Sequence, residues 1–239
     1  MKIKLYGTGS AVANEEAPSF LIDETILVDA PEGIGKKLLR DGFFPKFVLI
    51  THFHADHDYG LVMLTCLKNW REKENFTVIA PKGAKARYTQ LLNLTNYGTP
   101  SVIAPEFLEI DDELMKNGIE LQGYKIKFFK LDHGATPEPI DVIGYLVSKG
   151  KKSVCFTGDA VLTPNLKSMC EKANLAFVDT TGSPPPNMPK GHMDISDYKS
   201  LVADLPKTKI IPIHLSDNTR TELQGMGIET PNNNDVFEI

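Results

Sequence analysis

The sequence predicts an α/β fold in which two mixed β-sheets pack together and helices cover their outer faces. Short apolar segments bounded by turn residues recur through both halves of the chain, and segments with helical spacing of apolar residues separate them. The 239 residues show no close repeat and no low-complexity linker, and this length suits one layered domain. We therefore expect a single domain over residues 1–239.

The first half of the chain reads as strands followed by alternating helices and strands. Apolar runs between turn residues predict the strands, and Ile34, Leu38 and Leu39 are typical of one face of a helix. The predicted elements are, in order, a strand at 2–6, a hairpin at 19–23 and 26–29, a helix at 33–41, a strand at 46–51, a helix at 61–74, a strand at 76–80 and a helix at 83–93.

The second half of the chain repeats this theme, and its helices have recognisable start signals. Thr163 and Asp194 are candidate N-caps, and Pro164 suits the first helical position. The predicted strands lie at 106–110, 124–131, 142–147, 153–157, 175–179 and 210–213, the helices at 164–171, 195–205 and 217–226, and a proline-rich loop at 180–191.

Charge and cysteine content limit the classes of partner and compartment. The net charge is −5 and no basic tract is present, which argues against a protein that depends on a long phosphate backbone for affinity. Cys66, Cys155 and Cys170 are scattered and favour a reducing compartment. The N-terminal residues turn polar too early for a signal peptide, and no apolar run approaches the ~20 residues of a membrane span. We expect a soluble cytoplasmic protein without a membrane partner.

Candidate metal ligands follow several predicted strands directly. His52, His133, Asp159 and His214 each lie just beyond such a strand, where a rigid sheet positions the loop residues of α/β folds. Taken singly, the last three also suit ordinary loop or turn residues. Their repeated placement favours a common site.

The densest cluster is Thr51-His52-Phe53-His54-Ala55-Asp56-His57. Zinc binds imidazole nitrogen and carboxylate oxygen, and this segment offers three imidazoles and one carboxylate. His52 and His54 share a face while the chain is extended, and after a turn Asp56 and His57 can address a second ion. The segment therefore predicts a metal site.

The order His-x-His-x-Asp-His, a lone histidine, Gly-Asp and a late histidine resembles the metallo-β-lactamase fold superfamily. The resemblance implies a four-layer αββα sandwich of two mixed β-sheets and a dinuclear hydrolase. It also implies which residues bind the first metal, the second metal and both: His52, His54 and His133; Asp56, His57 and His214; and the bridging Asp159. Asp29 resembles the superfamily aspartate that orients a ligand histidine, and it equally suits a turn before Pro31.

Further motifs resemble the ribonuclease Z-like phosphodiesterases within the superfamily. These are Gly7-Thr8-Gly9-Ser10, Ile143-Gly144-Tyr145 and Asp179-Thr180-Thr181, where Val178-Asp179 replaces the family's His-Glu pair. His192 resembles that branch's phosphate contact or general acid. The 26 positions from His133 to Asp159 leave no room for the family's tRNA-gripping arm. The pattern therefore matches arm-less relatives, which include cyclic-nucleotide phosphodiesterases, the cyclic phosphate phosphodiesterase of phosphonate breakdown and pyrroloquinoline quinone accessory proteins.

The resulting hypothesis is a hydrolase that cleaves a small or cyclic phosphodiester by a hydroxide bridging two metals. Asp56 and His192 are the predicted catalytic residues, and residues 93–99 and 181–189 are candidate walls of the pocket. The cofactors are two divalent ions, with zinc favoured over manganese or iron. We expect no large nucleic acid partner; the sequence does not determine the oligomeric state, for which a homodimer is one candidate because dimers are common among symmetric assemblies. The alternatives are a lactone or thioester hydrolase with the same metal site, and a non-catalytic accessory protein of the same fold.

Overall fold

The computed structural model describes residues 1–72, 74, 76–95, 103–134, 140–184, 187 and 190–239. In this part of the chain, a seven-stranded sheet has the order β13-β1-β2-β3-β4-β5-β6. Its strands from the first half of the chain are β1 (Lys2–Gly7), β2 (Ser19–Ile22), β3 (Ile26–Val28), β4 (Phe47–Leu49), β5 (Thr77–Ala80) and β6 (Glu106–Glu109). The pairs from β3 to β6 are parallel, whereas β1, β2 and β3 pair antiparallel, so the sheet is mixed as predicted.

The second sheet comes from the second half of the chain and has the order β12-β11-β10-β9-β8-β7. Its strands are β7 (Ile119–Leu121), β8 (Tyr124–Leu131), β9 (Val142–Lys149), β10 (Lys152–Phe156), β11 (Leu175–Asp179) and β12 (Lys209–Ile213). The strands from β10 to β12 are parallel and the others antiparallel. The last strand of the chain, β13 (Val236–Glu238), returns to the first sheet and pairs with β1.

Helices cover the outer face of each sheet. The helices are α1 (Ile34–Asp41), α2 (Ala55–Asp58), α3 (Gly60–Glu72), α4 (Ala84–Leu94), α5 (Asp112–Asn117), α6 (Pro164–Glu171), α7 (Ile195–Asp204) and α8 (Asp217–Gly225). One apolar cluster joins the first sheet to α1, α3 and α4, and another joins the second sheet to α6, α7 and α8. The prediction of a four-layer αββα sandwich is therefore confirmed.

The central core lies between the two sheets. Phe20 from the first sheet lies 4.8 Å, centroid to centroid, from both Phe156 and Phe177 of the second sheet. Tyr145 of β9 is fully buried, and its hydroxyl donates to the Ile50 carbonyl at 2.7 Å. This bond ties the second sheet to the chain just before Thr51 and the histidine segment.

Most predicted elements agree with the structure to within two residues, and both predicted caps are present. The Thr163 and Asp194 side chains accept from the backbone N–H three residues ahead. The predicted strand at 46–51 is shorter, because it leaves the sheet after Leu49 to enter the histidine segment. The sequence did not reveal α2, α5, β7 and β13, which have three to six residues each.

Within the described residues, no helix combines the length and apolarity needed to cross a bilayer. The single-domain organisation and the cytoplasmic location stay predictions.

Candidate metal centre

The predicted ligands meet at one edge of the sandwich, around the carboxylate of Asp159. Its Oδ2 lies 3.7 Å from His52 Nε2, 4.0 Å from His54 Nδ1 and 3.6 Å from His133 Nε2. These four residues each offer one ligand atom, and the four atoms lie within 4.8 Å of one another. The first predicted ligand set is thus assembled with Asp159.

The other oxygen of Asp159 faces a second group. Asp159 Oδ1 lies 3.2 Å from His57 Nε2 and 3.4 Å from His214 Nε2. Asp56 Oδ2 lies 3.2 Å from His214 Nε2 and 3.8 Å from His57 Nε2. One carboxylate therefore divides its two oxygens between the two ligand sets that the sequence predicts.

Several atoms of this cluster are buried without partners, which tests whether a metal fits. Among the described residues, His52 Nε2, His57 Nε2, both ring nitrogens of His133 and Asp159 Oδ1 make no hydrogen bond. Buried polar atoms of proteins are normally hydrogen-bonded, and a binding site for an ion is one established explanation for exceptions. Imidazole nitrogen and carboxylate oxygen are also the donors that divalent transition metals prefer. The residues present therefore fit divalent metal ions.

The pKa shifts of His52 and Asp159 favour metal binding by these two residues. Burial lowers the pKa of His52 well below its usual value, and positive charge on neighbouring His57 adds to this effect, so its imidazole is neutral and can donate a lone pair. Burial alone would raise the pKa of Asp159. The surrounding histidines, His214 first among them, instead lower that pKa well below its usual range. Asp159 is therefore an anionic carboxylate at neutral pH.

Two backbone features position the cluster. Gly158 has φ +60°, and an added Cβ would lie 2.6 Å from Thr51 Cβ, so only glycine allows the Asp159 loop to approach the histidine segment this closely. Asp29 and His214 also have positive φ, 57° in each case, although neither is a glycine. Such conformations persist where the surroundings impose them and cluster at functional sites.

Asp29 lies behind the cluster and holds two of its parts. Its Oδ1 accepts from the Thr51 backbone N–H at 2.7 Å, and its Oδ2 lies 2.8 Å from His57 Nδ1 and accepts from the Thr51 hydroxyl. The side chain is almost fully buried. An acceptor on Nδ1 fixes the tautomer of His57 so that Nε2 can face a metal, as the resemblance implies.

His192 lies beside the cluster and is paired with a carboxylate. Its Nδ1 lies 2.8 Å from Asp179 Oδ2, and its side chain is 26% exposed. Burial lowers the pKa of His192, but the hydrogen bond and charge of Asp179, with added charge from Asp159 and Asp56, raise it to about 9. Its imidazole is therefore protonated at neutral pH in the metal-free protein.

Asp179 and Thr181, which the sequence marks only as part of a motif and not as site residues, also belong to the site. Besides His192, the fully buried Asp179 carboxylate accepts from the Ala160 backbone N–H and from the Thr181 backbone and hydroxyl. The Thr181 hydroxyl also lies 2.6 Å from His214 Nδ1. Asp179 carries the signal that singled out Asp159, a carboxylate at the end of a parallel strand, and this signal could have identified it.

A cavity of about 440 Å³ opens beside Asp56. Its lining includes the carboxylates of Glu15, Glu16 and Glu32, and Glu16 pairs with Lys37 at 3.2 Å. Of the predicted pocket walls, residues 96–99, 185, 186, 188 and 189 lie outside the described residues. The described part of the wall near Asp56 is therefore acidic and large enough for a small molecule.

The fold and the ligand pattern together define a member of a known superfamily. Residues 25–215 match the family model described as the beta-lactamase superfamily domain, and the chain belongs to this superfamily. The match confirms the resemblance found on the histidine motif.

The chain is also similar to curated proteins of one kind within the superfamily. Ribonuclease Z of Staphylococcus carnosus is 26% identical over 197 residues, which cover 74% of this chain and 60% of that protein. The chain spans about half to three-fifths of the length of the curated relatives it matches first, all named ribonuclease Z.

Solved structures confirm the fold over the whole chain. The short form of human tRNase Z has a TM-score of 0.76 at 18% identity, covering 100% of this chain and 99% of that chain. A diphosphatase of the PhnP family has the same TM-score and identity and covers 100% and 97%. Zn²⁺-bound PqqB of Methylobacterium extorquens has a TM-score of 0.73 at 13% identity, with 100% of each chain covered.

Proposed function

We propose that the protein is a dinuclear metal-dependent phosphodiesterase that cleaves a small or cyclic phosphodiester. The observation that carries the proposal is the division of the Asp159 oxygens between two ligand sets, with His192 beside them. Relatives named ribonuclease Z and a neighbour named a diphosphatase support phosphate chemistry at such a site.

Two metal ions would be held by the two sets that share Asp159. The first ion would be bound by His52, His54 and His133, and the second by Asp56, His57 and His214. Divalent ions bound in this way supply an activated water at neutral pH and positive charge for phosphate oxygens. A zinc-bound structural neighbour favours zinc, whereas manganese and iron also suit this donor set.

His192 would donate a proton to the departing oxygen of the substrate. Asp179 occupies Nδ1, so the remaining proton of the imidazolium is on Nε2. An acid whose pKa lies somewhat above the working pH holds this proton and can release it as the leaving oxygen gains charge. In this scheme Asp56 is a metal ligand, and its catalytic role is limited to that.

Two features favour a small substrate: the cavity beside Asp56 and the short chain between His133 and Asp159. The cavity beside Asp56 has a volume typical of small-molecule sites, and its carboxylates repel a polyanionic backbone. In the interval between His133 and Asp159, β9 and β10 account for thirteen residues, which leaves little chain for a tRNA-binding arm. A precursor tRNA is the competing substrate, given the name of the human neighbour. A homodimer in solution stays a prediction.

The test compares two diesters that differ in their need for an acid. Bis-p-nitrophenyl phosphate releases a phenolate that leaves without a proton, whereas a 2′,3′-cyclic nucleotide releases an alkoxide that needs one. We expect the zinc-loaded protein to hydrolyse both, and chelation to abolish both activities. His192→Ala should lower kcat for the cyclic nucleotide by ~10²-fold or more and for the phenolate ester much less.

Lys167→Ala is the matched control, because it removes only an exposed ion pair with Asp204 on the outer helices. Equal losses on both diesters in His192→Ala would contradict the acid role. Hydrolysis of lactones or thioesters without any diester activity would contradict the phosphodiesterase. Faster cleavage of precursor tRNA than of every small diester would contradict the small substrate.

A further inference from the structure

Arg87 of α4 contacts both ends of the segment that carries three of the proposed ligands. At one end, its Nη2 donates to the Phe53 carbonyl at 3.0 Å. At the other end, Nε and Nη2 donate to the two carboxylate oxygens of Asp58 at 2.5 and 3.2 Å. His54, Asp56 and His57 lie between these two contacts.

The Arg87–Asp58 pair can hold the ligand segment in a fixed position relative to α4. The Asp58 side chain is only 6% exposed, and the Arg87 guanidinium lies 5.5 Å from the Phe53 ring and 5.6 Å from the Tyr59 ring, so its plane is confined. A planar guanidinium gives bidentate contacts with fixed direction, which a lysine ammonium cannot reproduce. The segment is thereby held at a defined distance from α4.

Helix α4 is itself a fixed base for these contacts. Ala84, Tyr88 and Leu92 bury its inner face in the cluster beneath the first sheet. The Tyr88 hydroxyl donates to Thr65 Oγ1 of α3 at 2.5 Å, and the backbone N–H of Lys85 donates to the Glu109 carboxylate. A rigid helix joined to a short segment constrains the ligands on that segment.

We propose that Arg87 is a positioning residue that sets the geometry of the metal ligands on residues 54–57, above all Asp56 and His57. Both of these lie on α2, which ends at Asp58, so the Arg87–Asp58 contact fixes the orientation of that helical turn. The inference rests on the proposed metal centre but not on the proposed substrate, because it concerns the affinity for the metal.

The test measures zinc binding without substrate. Zinc dissociation constants of both sites are determined by competition with a chromophoric chelator, together with the Tm of the metal-free protein. We expect Arg87→Ala to weaken the site of Asp56, His57 and His214 by ~10-fold or more, the range found for partners that orient ligands. The site of His52, His54 and His133 should change less. Arg87→Lys should restore part of the affinity, because it keeps one contact with Asp58.

A double variant separates positioning from stability. Asp58→Leu with Arg87→Met replaces the ion pair by apolar side chains, which commonly preserves folding. A normal metal-free Tm with weakened zinc binding supports the proposal, whereas normal zinc binding in this variant or in Arg87→Ala overturns it. Asp41→Asn is the matched control, since it removes the charge of a partly buried carboxylate that accepts from Lys4 and Tyr6 away from the ligands, and it should leave zinc binding unchanged. A wild-type protein that binds no zinc overturns the proposed metal centre itself.

Discussion

Asp179→Asn removes the negative charge that holds the Nδ1 proton of His192 while keeping the size of the side chain. The 2.8 Å contact between His192 Nδ1 and Asp179 Oδ2 is the only direct bond of the imidazole to a carboxylate among the described residues. Without this charge the imidazolium is less stable, so the pKa of His192 falls. If His192 must be protonated to donate to the leaving oxygen, activity is lost at a lower pH in the variant.

The size of the shift follows from the strength of the contact. A hydrogen bond to a charged partner contributes about 1.5–3 kcal/mol, and 1.36 kcal/mol corresponds to one pKa unit. Against the effect of burial, Asp179, Asp159 and Asp56 raise the pKa of His192 in the wild-type protein to about 9. We expect Asp179→Asn to lower this pKa by roughly one to two units. Metals bound at Asp159 and Asp56 would lower the pKa in both proteins, so the difference between the two is the prediction.

The assay is kcat/KM for a 2′,3′-cyclic nucleotide between pH 6 and 10, in wild type, Asp179→Asn and His192→Ala. Activity should fall as the pH rises through the pKa of His192, and this alkaline limb should lie one to two pH units lower in Asp179→Asn. His192→Ala should lack the limb at every pH. An alkaline limb at the same pH in wild type and Asp179→Asn would refute the assignment of the proton to this pair.

Three further changes test the support of the site. Asp29→Ala leaves the Thr51 N–H and the His57 Nδ1–H unpaired and should lower the free energy of unfolding by roughly 1–3 kcal/mol for each group. Urea unfolding of the metal-free protein measures this loss, and a loss below about 1 kcal/mol would contradict the prediction. Tyr145→Phe removes the bond to the Ile50 carbonyl and should cost about 1 kcal/mol, while an unchanged urea midpoint would argue against that bond. Because the pKa of His192 is raised from 6.5 to about 9 in the metal-free fold, wild type should exceed His192→Gln in stability most below pH 6.5, with the difference disappearing as the pH rises through 9. Tm measured against pH checks this, and a constant difference would refute it.

The parts of the fold that were readable from sequence are those with a repeated local signal. The eight residues of α6 carry both a cap and a proline start, and the apolar run of β11 is bounded on both sides. The strand β13 offers three residues whose partner, β1, lies at the other end of the chain. Neither α2 nor β7 is long enough for a period of 3.6 or 2 to be recognised. Their presence depends on tertiary contacts that no local pattern contains.

The residues of the site likewise fall into those that a local sequence signal indicates and those that it does not. The histidine segment and Asp159 stand out as residue types at strand ends, and the structure brings them together, although their roles as ligands stay predictions. Asp179 was read only as a weak match to a motif, because Asp-Thr-Thr after a strand equally suits a turn. Its contact with His192 arises from the path of the loop between them. Arg87 gave no signal, since an arginine on an amphipathic helix is normally solvated.

The ligand sets combine residues from both sheets: His52, His54, Asp56 and His57 follow β4, whereas His133, Asp159 and His214 follow strands of the second sheet. Metals held in this way would link the two sheets at one edge, so the loaded protein must release a metal before the sheets can separate. Its rate of unfolding, and with it its half-life against proteases, would then depend on metal dissociation. If the proposed metals are bound, a cell depleted of them would lose this protein by degradation as well as by lack of cofactor.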